Sequence, residues 1–288
     1  MSGGNMIVEV VSELFKRAET SIPEDVKNAL EDALTVEEGV ARVQIATILE
    51  NVKVAGGGRI PLCQDTGTPL VYLGVGGIAE VDLNKLVASV SEGIIKATDE
   101  VPLRKHMVDP LTRENITDKI SDYSKFINLE ILPDKDYLEI TVFPKGGGSE
   151  NMSALAMLTP SQGIDGVKEF VLKTVSDAGG KPCPPTIVGV GIGGTSDVAM
   201  KLSKKALLRP ITERNGEDEI AQIEMGLLEK INKLGIGPMA LGGKTTSLAV
   251  NIETAPCNTN GLPVAVNMQC WAARRATARI LEDKVEYL

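Results

Sequence analysis

Aromatic side chains, histidine and long apolar runs are scarce in this sequence of 288 residues. Phe, Trp and Tyr make up 3% of the chain, so platforms for stacking nucleic-acid bases are not expected. The single histidine, His106, is the only one that a Ser-His-Asp triad can use, and a site with several histidine ligands is excluded. No apolar run approaches the roughly 18 residues of a membrane span, and the first residues lack the basic and apolar parts of a signal peptide. We therefore expect a cytoplasmic protein without a membrane partner.

The sequence also lacks an excess of positive charge and closely spaced pairs of cysteines. The formal net charge is −9, which argues against a nucleic-acid surface and means that an anionic substrate needs locally concentrated cations. The cysteines, at positions 63, 183, 257 and 270, include no C-x-x-C pair, which disfavours zinc ribbons and thioredoxin motifs. In the cytosol, such scattered thiols are more often reduced, metal-bound or buried than joined in disulfides.

What the sequence does contain predicts an α/β fold with a large core. Hydrophobic residues make up 43% of the chain. Helical spacing over 5–18 and a capping pattern at Thr35–Glu38, before a helix to about Val52, predict a helical part over about 1–60. Glycines 56–58 are expected to end that helix. Strand and helix patterns over about 61–288 predict a mixed or parallel sheet with glycine-rich turns, and we treat residues 1–288 as one domain.

The segment Pro61–Pro69 concentrates polar chemistry in one loop. It contains the run Cys63-Gln64-Asp65-Thr66-Gly67-Thr68. Gly67 and the flanking prolines disfavour a helix and predict a shaped loop that aims a thiol, an amide and a carboxylate at one point. Taken alone, the segment also fits an ordinary polar turn with one buried cysteine.

Two glycine turns further along the chain offer main-chain donors and cations. Lys145 precedes three glycines, 146–148, after a predicted strand, and consecutive N–H groups of this kind suit an anion-binding nest. The second turn, Gly242–Lys244, ends in a lysine. Each turn also fits a flexible connection without a ligand.

Cys183 and Cys270 lie in different sequence contexts. Cys183 lies among three prolines, which suits a rigid metal ligand or a strained turn with an inert thiol. Cys270 ends a predicted strand, and we expect a helix to begin after it with Arg274 and Arg275 in its first turn. Because the helix dipole disfavours cations there, these arginines either serve an anion or lie on a solvated face. Three cysteine ligands on separate loops would leave one iron of a cubane cluster without a protein ligand.

A nucleotide-binding module is the rival from another functional class. The strand, glycine turn and helix over 186–207 resemble half of a dinucleotide fold, and Gly189, Gly191 and Gly194 loosely match its glycine pattern. No acidic ribose partner is obvious downstream. A non-catalytic iron–sulfur or zinc scaffold is a further alternative.

Six ordered motifs resemble the class I (iron–sulfur) fumarase family. More narrowly, they are similar to its separate alpha subunit or to the related alpha subunit of L(+)-tartrate dehydratase, and they span nearly the whole chain. The motifs are Cys63–Thr68, Lys145–Ser149, Cys183–Pro185, Gly193–Ser196, Gly242–Lys244 and Cys270–Arg275.

The resemblance implies a hydro-lyase that reversibly hydrates fumarate to malate, with L(+)-tartrate dehydration as the alternative. It implies a 4Fe–4S cluster held by Cys63, Cys183 and Cys270. It also implies substrate contacts from Gln64, Asp65 and Arg104 and from the backbone at Gly148.

Further substrate contacts are expected from Lys145 and Lys244 as cations and from Asn258. In many members of the family, the position that aligns with Asn258 carries a histidine. An asparagine can form hydrogen bonds but does not titrate near neutral pH, which leaves the preferred dicarboxylate open. Cys257 has no ligand role in the family pattern.

The resemblance also implies a partner. In single-chain members a second domain follows the last cysteine motif, and that part carries the base for the C3 proton and several cationic carboxylate clamps. We therefore expect a separate beta subunit in a hetero-oligomer, and activity of this chain only in its presence.

Overall fold

The computed structural model describes residues 4–79, 81–105, 107–117, 123–282 and 284–288. The helices are α1 (Gly4–Thr20), α2 (Glu24–Val36), α3 (Gly39–Gly58), α4 (Leu83–Glu100), α5 (Gly147–Glu150), α6 (Gly163–Ala178), α7 (Ser196–Ala206) and α8 (Asp218–Asn232). The strands are β1 (Thr68–Gly76), β2 (Ile127–Leu132), β3 (Leu138–Lys145), β4 (Ala154–Leu158), β5 (Thr186–Gly193), β6 (Ser247–Ala255), β7 (Leu262–Gln269), β8 (Ala276–Leu281) and β9 (Lys284–Tyr287). N-terminal helices followed by mixed sheets confirm the predicted α/β class. Within the described part of the chain, no helix is both long and apolar enough to span a bilayer.

The chain divides into two compact units. Unit 1 contains Met1–Pro23, Asn51–Gly146 and Arg274–Leu288, and unit 2 contains Glu24–Glu50 and Gly147–Ala273. These units follow contacts in space, whereas the predicted division near residue 60 follows the order of elements along the chain.

Unit 1 is built around the sheet β2-β1-β3-β8-β9. Strand β1 runs parallel to β2 and antiparallel to β3, and β8 runs antiparallel to β3. Apolar side chains recur every three or four residues along α1, from Ile7 to Ala18, so that one face of this helix enters the core. Asp82 caps α4, its Oδ1 accepting hydrogen bonds from the N–H groups of Asn84 and Lys85 at 3.1 and 3.3 Å. The core lies between α1, α4 and the sheet.

Unit 2 is built around the sheet β4-β7-β5-β6, in which β5 is parallel to β6 and antiparallel to β7. Val188 and Val190 of β5 join a core with α6 and α8. Gly189 and Gly191, which alternate with these valines, face α7. A Cβ on either glycine would lie 2.1 Å from a carbonyl oxygen of α7. Helices therefore pack on both faces of this sheet.

The structure differs from the predicted elements at several places. Helix α3 continues through the glycines to Gly58 instead of ending near Val52. Strands β2, β4 and β9 were not predicted. After Cys270 the chain enters β8, so the expected helix beginning at Arg274 and Arg275 is wrong. Pairing of β8 with β3 overrides the helical propensity of this alanine-rich segment, because Ala278 and Ile280 of the strand enter the core of unit 1.

Candidate active site

The loop that carries Cys63 is held at several points within unit 1. The Leu62 N–H donates to the Glu19 carbonyl oxygen at 2.8 Å, which fixes the chain before the cysteine. The Thr66 hydroxyl donates to the Arg104 carbonyl oxygen at 2.9 Å. Cys63 and Gln64 lie exposed between these anchors, and Asp65 is partly buried. The structure thus brings Arg104, which follows α4, beside the predicted Cys63–Thr68 loop.

The same loop turns inward at Asp65 and Gly67. The Gly67 N–H donates to Asp65 Oδ1 at 3.0 Å, an interaction that orients the carboxylate toward its own turn. Gly67 has a φ of +76°, and a Cβ there would lie 2.8 Å from the Lys145 carbonyl carbon. A glycine is required because the loop passes directly over the end of β3. Lys145, predicted as a substrate cation, is therefore a neighbour of this loop, and it is 1% exposed.

A buried ion pair lies beneath the Cys63 loop. Arg274 Nη1 donates to Glu19 Oε2 at 2.9 Å and also to the Asp65 carbonyl oxygen. Both charged residues are inaccessible to solvent. Burial raises the pKa of Glu19 from 4.5 to about 7, although the Arg274 charge and hydrogen bond oppose the rise, and the nearby Asp65 charge adds to it. The sequence pattern predicts a helix at Arg274, and it does not single out Glu19.

The helical spacing of α1 nevertheless predicts that Glu19 is buried. Val8, Val11 and Phe15 mark the buried face of this helix, and Glu19 continues that face four residues after Phe15. A carboxylate on an otherwise apolar face is a signal for a buried partner, because an unpaired buried charge is costly.

In unit 2, the Cys183 loop has an unusual backbone. Cys183 has a φ of +55°, and the following Pro184–Pro185 peptide bond is cis. The Cys183 N–H donates to the Gly180 carbonyl oxygen at 3.0 Å, and the Pro184 carbonyl oxygen accepts from the Met239 N–H at 2.8 Å. A left-handed backbone at a non-glycine residue persists only where its surroundings enforce it, as the prolines and these hydrogen bonds do here.

Cys270 lies beside this loop. It directly follows β7, and the next residue, Trp271, donates its N–H to the Cys183 carbonyl oxygen at 3.2 Å. Cys183 and Cys270 are both partly buried. Unit 2 thus brings together two of the three predicted cluster ligands.

The glycine turn after Lys145 approaches the Cys183 loop. Gly148 is exposed in the short helix α5, and a Cβ on it would lie 3.0 Å from the Lys181 carbonyl oxygen. Glu150 at the end of α5 forms an ion pair with Lys204 of α7 at 2.6 Å. Unit 2 therefore brings Gly148 near the segment that carries Cys183.

Two other predicted substrate contacts, Lys244 and Asn258, are exposed residues of unit 2. Lys244 Nζ forms an exposed ion pair with Glu38 at 2.7 Å, and this pair raises the pKa of Lys244. Asn258 is exposed in the turn between β6 and β7, where its Oδ1 accepts from the Asn260 N–H at 2.9 Å. Their roles in substrate binding stay predictions. His106, the only candidate for a triad histidine, lies outside the described residues.

None of the four cysteines is joined in a disulfide, so the chemistry of the donor set suits a metal centre. Over the described ranges, however, no three His, Cys, Asp or Glu side chains are grouped closely enough to hold a metal ion. Cys63 belongs to unit 1, whereas Cys183 and Cys270 belong to unit 2. The three-cysteine site therefore stays a prediction.

The glycine pattern of the rival nucleotide-binding hypothesis has a packing explanation. Gly189 and Gly191 are inside β5, where α7 leaves no room for side chains. Gly194, with a φ of +67°, forms the turn into α7. Close packing between helix and strand therefore accounts for these glycines without a nucleotide.

Comparison with known proteins gives a consistent result. Residues 8–279 match the family model described as "Fumarate hydratase (Fumerase)". The chain is 55% identical to "Putative L(+)-tartrate dehydratase subunit alpha" of Methanocaldococcus jannaschii, over 96% of this chain and 98% of that one. It is 33% identical to "L(+)-tartrate dehydratase subunit alpha" of Escherichia coli K12 and of Shigella sonnei, over 97% of this chain and 92% of each relative.

Proposed function

The chain belongs to the fumarate hydratase (Fumerase) family, and on that premise we propose that it is the alpha subunit of an iron–sulfur hydro-lyase for a four-carbon dicarboxylate. The observation that carries the proposal is the hydrogen bond from the Thr66 hydroxyl to the Arg104 carbonyl oxygen. It brings the loop with Cys63, Gln64 and Asp65 next to an arginine that suits a carboxylate substrate.

We propose that Cys63, Cys183 and Cys270 hold a 4Fe–4S cluster. When bound through three cysteines, such a cluster supplies an open iron that acts as a Lewis acid toward a substrate hydroxyl. The fit rests on the chemistry of the thiols, which form no disulfide bonds, and on the neighbouring placement of Cys183 and Cys270. Cys257, exposed in the turn between β6 and β7, is not assigned to the cluster.

The roles of the other residues follow from the chemistry of the substrate. Dehydration removes a hydroxyl from C2 and a proton from C3, and that proton is weakly acidic because the adjacent carboxylate is already an anion. Negative charge grows on this carboxylate, so preorganised donors and cations aimed at it lower the barrier. We assign a carboxylate contact to Arg104 and to the Gly148 backbone. Gln64 orients the departing oxygen through a hydrogen bond, and the carboxyl group of Asp65 protonates it. Lys145, Lys244 and Asn258 are secondary candidates for substrate contacts.

Fumarate hydration to malate is the leading reaction, because the family model that covers residues 8–279 is described by that activity. L(+)-tartrate dehydration is the second candidate, favoured by the names of the relatives. The two reactions share their chemistry, since tartrate differs from malate only by one more hydroxyl. A competition assay that supplies malate and L(+)-tartrate together, at equal concentration, decides between them by the ratio of their kcat/KM values.

A beta subunit is the proposed partner, because the relatives are named as alpha subunits. Charge supports this proposal. The chain has a net charge of −9, and Arg274 is already occupied by Glu19. Further cations and the base for the C3 proton are therefore expected from the partner.

The test of the proposed function uses the alpha chain purified anaerobically with a beta-type subunit of the family. We expect absorbance near 400 nm, iron and sulfide in the protein, and dehydration of malate or tartrate. Alanine at Cys63, Cys183 or Cys270 should abolish the cluster, whereas Cys257→Ala, the matched control, should retain it. A cluster-free but active wild-type complex would contradict the proposal, as would loss of the cluster in Cys257→Ala.

A further inference from the structure

Glu19 and Arg274 restrain the Cys63 loop on both sides of Cys63 and Gln64. The Glu19 main chain holds Leu62, immediately before Cys63, through a hydrogen bond of 2.8 Å. The Glu19 side chain holds Arg274 Nη1, which in turn donates to the carbonyl oxygen of Asp65, immediately after Gln64. Only Cys63 and Gln64 lie between the two anchors. One helical position thus controls both ends of this exposed dipeptide.

A buried ion pair such as Glu19–Arg274 contributes little net free energy to the stability of a fold. Both side chains are inaccessible to solvent, and Glu19 Oε1 has no hydrogen-bond partner among the described residues. Transferring two charges into the protein interior carries a desolvation cost that their attraction often fails to recover, and apolar replacements of similar volume are frequently tolerated. The burial of this pair is therefore weak evidence that its role is to stabilise the fold.

We propose that Glu19 and Arg274 are positioning residues, which hold the peptide between Leu62 and Asp65 so that Cys63, Gln64 and Asp65 keep the arrangement that the reaction needs. This inference rests on the proposed function for its link to catalysis. Its structural part, the restraint of the loop by a buried pair, stands on the two hydrogen bonds of Arg274 and concerns unit 1 alone.

The decisive variant replaces both charges at once. In Glu19→Leu/Arg274→Met neither charge of the pair is left buried without the other, so the fold is expected to persist while the anchor on Asp65 is lost. The matched control is Lys16→Gln/Glu100→Gln, which removes an exposed ion pair of 2.7 Å between α1, the helix of Glu19, and α4. A third variant, Arg274→Lys, keeps the positive charge but lacks the planar fork of the guanidinium.

Hydrogen–deuterium exchange provides a readout that does not depend on activity. The Gly67 N–H is bonded to Asp65 Oδ1 at 3.0 Å and reports directly on the loop, whereas amides of β3 report global opening. We expect exchange at Gly67 to accelerate about tenfold in the double variant, the effect of losing one hydrogen bond to a charged group, with β3 amides unchanged. The control pair should behave as wild type at both places.

Kinetics of the complex with the beta-type subunit supply the second readout. Misplacement of catalytic groups by a fraction of an ångström should lower kcat by up to about 100-fold, whereas KM should change much less because Arg104 is untouched. Unchanged Gly67 exchange in a folded double variant would overturn the inference, and so would an unchanged kcat. If the double variant does not fold, Arg274→Lys is read by the same criteria. If the wild-type complex has no hydro-lyase activity, the proposed function fails, and exchange alone still decides whether the pair restrains the loop.

Discussion

Replacing Glu19 with glutamine should change the pH dependence of folding stability. Burial raises the pKa of Glu19 from 4.5 to about 7. Between these values the folded state binds more protons than the unfolded state, so wild type loses stability as pH rises through this window. At about 1.36 kcal/mol for each pH unit, the difference between 4.5 and about 7 corresponds to about 3 kcal/mol. Glutamine carries no titrating proton, so this loss should be absent from the variant.

The measurement is urea unfolding of wild type and Glu19→Gln, followed by far-UV circular dichroism at several pH values between about 4.5 and 8. The wild-type free energy of unfolding should fall by about 3 kcal/mol relative to the variant across this range and then level off. Glu13→Gln is the matched control, because it removes an exposed carboxylate from the same helix. A difference that stays constant would refute the argument from burial. A difference of opposite sign would show that Arg274 outweighs desolvation.

The other predictions concern the loop and the partner. Arg104→Lys should lower kcat/KM by an amount equivalent to about 2–3 kcal/mol with an unchanged cluster spectrum, because lysine cannot make a two-pronged contact; near-wild-type kcat/KM would exclude the carboxylate role. Gly67→Ala should destabilise the protein by about 2–4 kcal/mol in thermal unfolding, since its Cβ meets the Lys145 backbone at a φ of +76°. Gly216→Ala, where a Cβ meets nothing within 4 Å, is its control, and equal losses would contradict the explanation. The chain purified without a beta subunit and reconstituted with iron and sulfide should not hydrate fumarate; steady-state turnover would refute the need for a partner.

Local pattern was sufficient for most elements of the fold. Helical spacing over 5–18 predicted α1, and the strand, turn and helix pattern over 186–207 predicted β5 and α7 to within a few residues. The strands predicted before Lys145 and before Cys270 correspond to β3 and β7. The failures are cases in which tertiary contacts oppose local preference. Interior glycines cost a helix about 0.5–1 kcal/mol each, yet α3 extends to Gly58. Residues 276–281 have an alanine-rich sequence, but they pair with β3 as a strand.

The site was predictable where a residue's chemistry is concentrated in one short segment. Cys63, Gln64 and Asp65 stand together in the sequence, and the structure anchors their loop as one piece. The partners of this loop could not be identified in the same way, because Glu19 and Arg274 are 255 residues apart. Their pairing depends on how α1 and the start of β8 meet in unit 1, and no local pattern encodes that distance.

Antiparallel pairing explains why distant segments converge on each loop. In an antiparallel pair, the start of one strand lies opposite the end of its neighbour. In unit 1, Thr68 at the start of β1 pairs with Lys145 at the end of β3, and Ala276 at the start of β8 pairs with Val142 near that same end. The Cys63 loop, Lys145 and Arg274 therefore lie at the same end of the strands in this sheet.

The same rule operates separately in unit 2. Ile187 near the start of β5 pairs with Gln269 at the end of β7. Cys183, just before β5, and Cys270, just after β7, therefore lie at the same end of these two strands. This position depends on register rather than on the loops themselves. A slip of one residue between β5 and β7 would turn every β7 side chain to the opposite face of the sheet. It would also displace Cys270 along the direction of the strands. The buried valines of β5 and β7 prevent that slip, and in this way an apolar core fixes the position of a thiol.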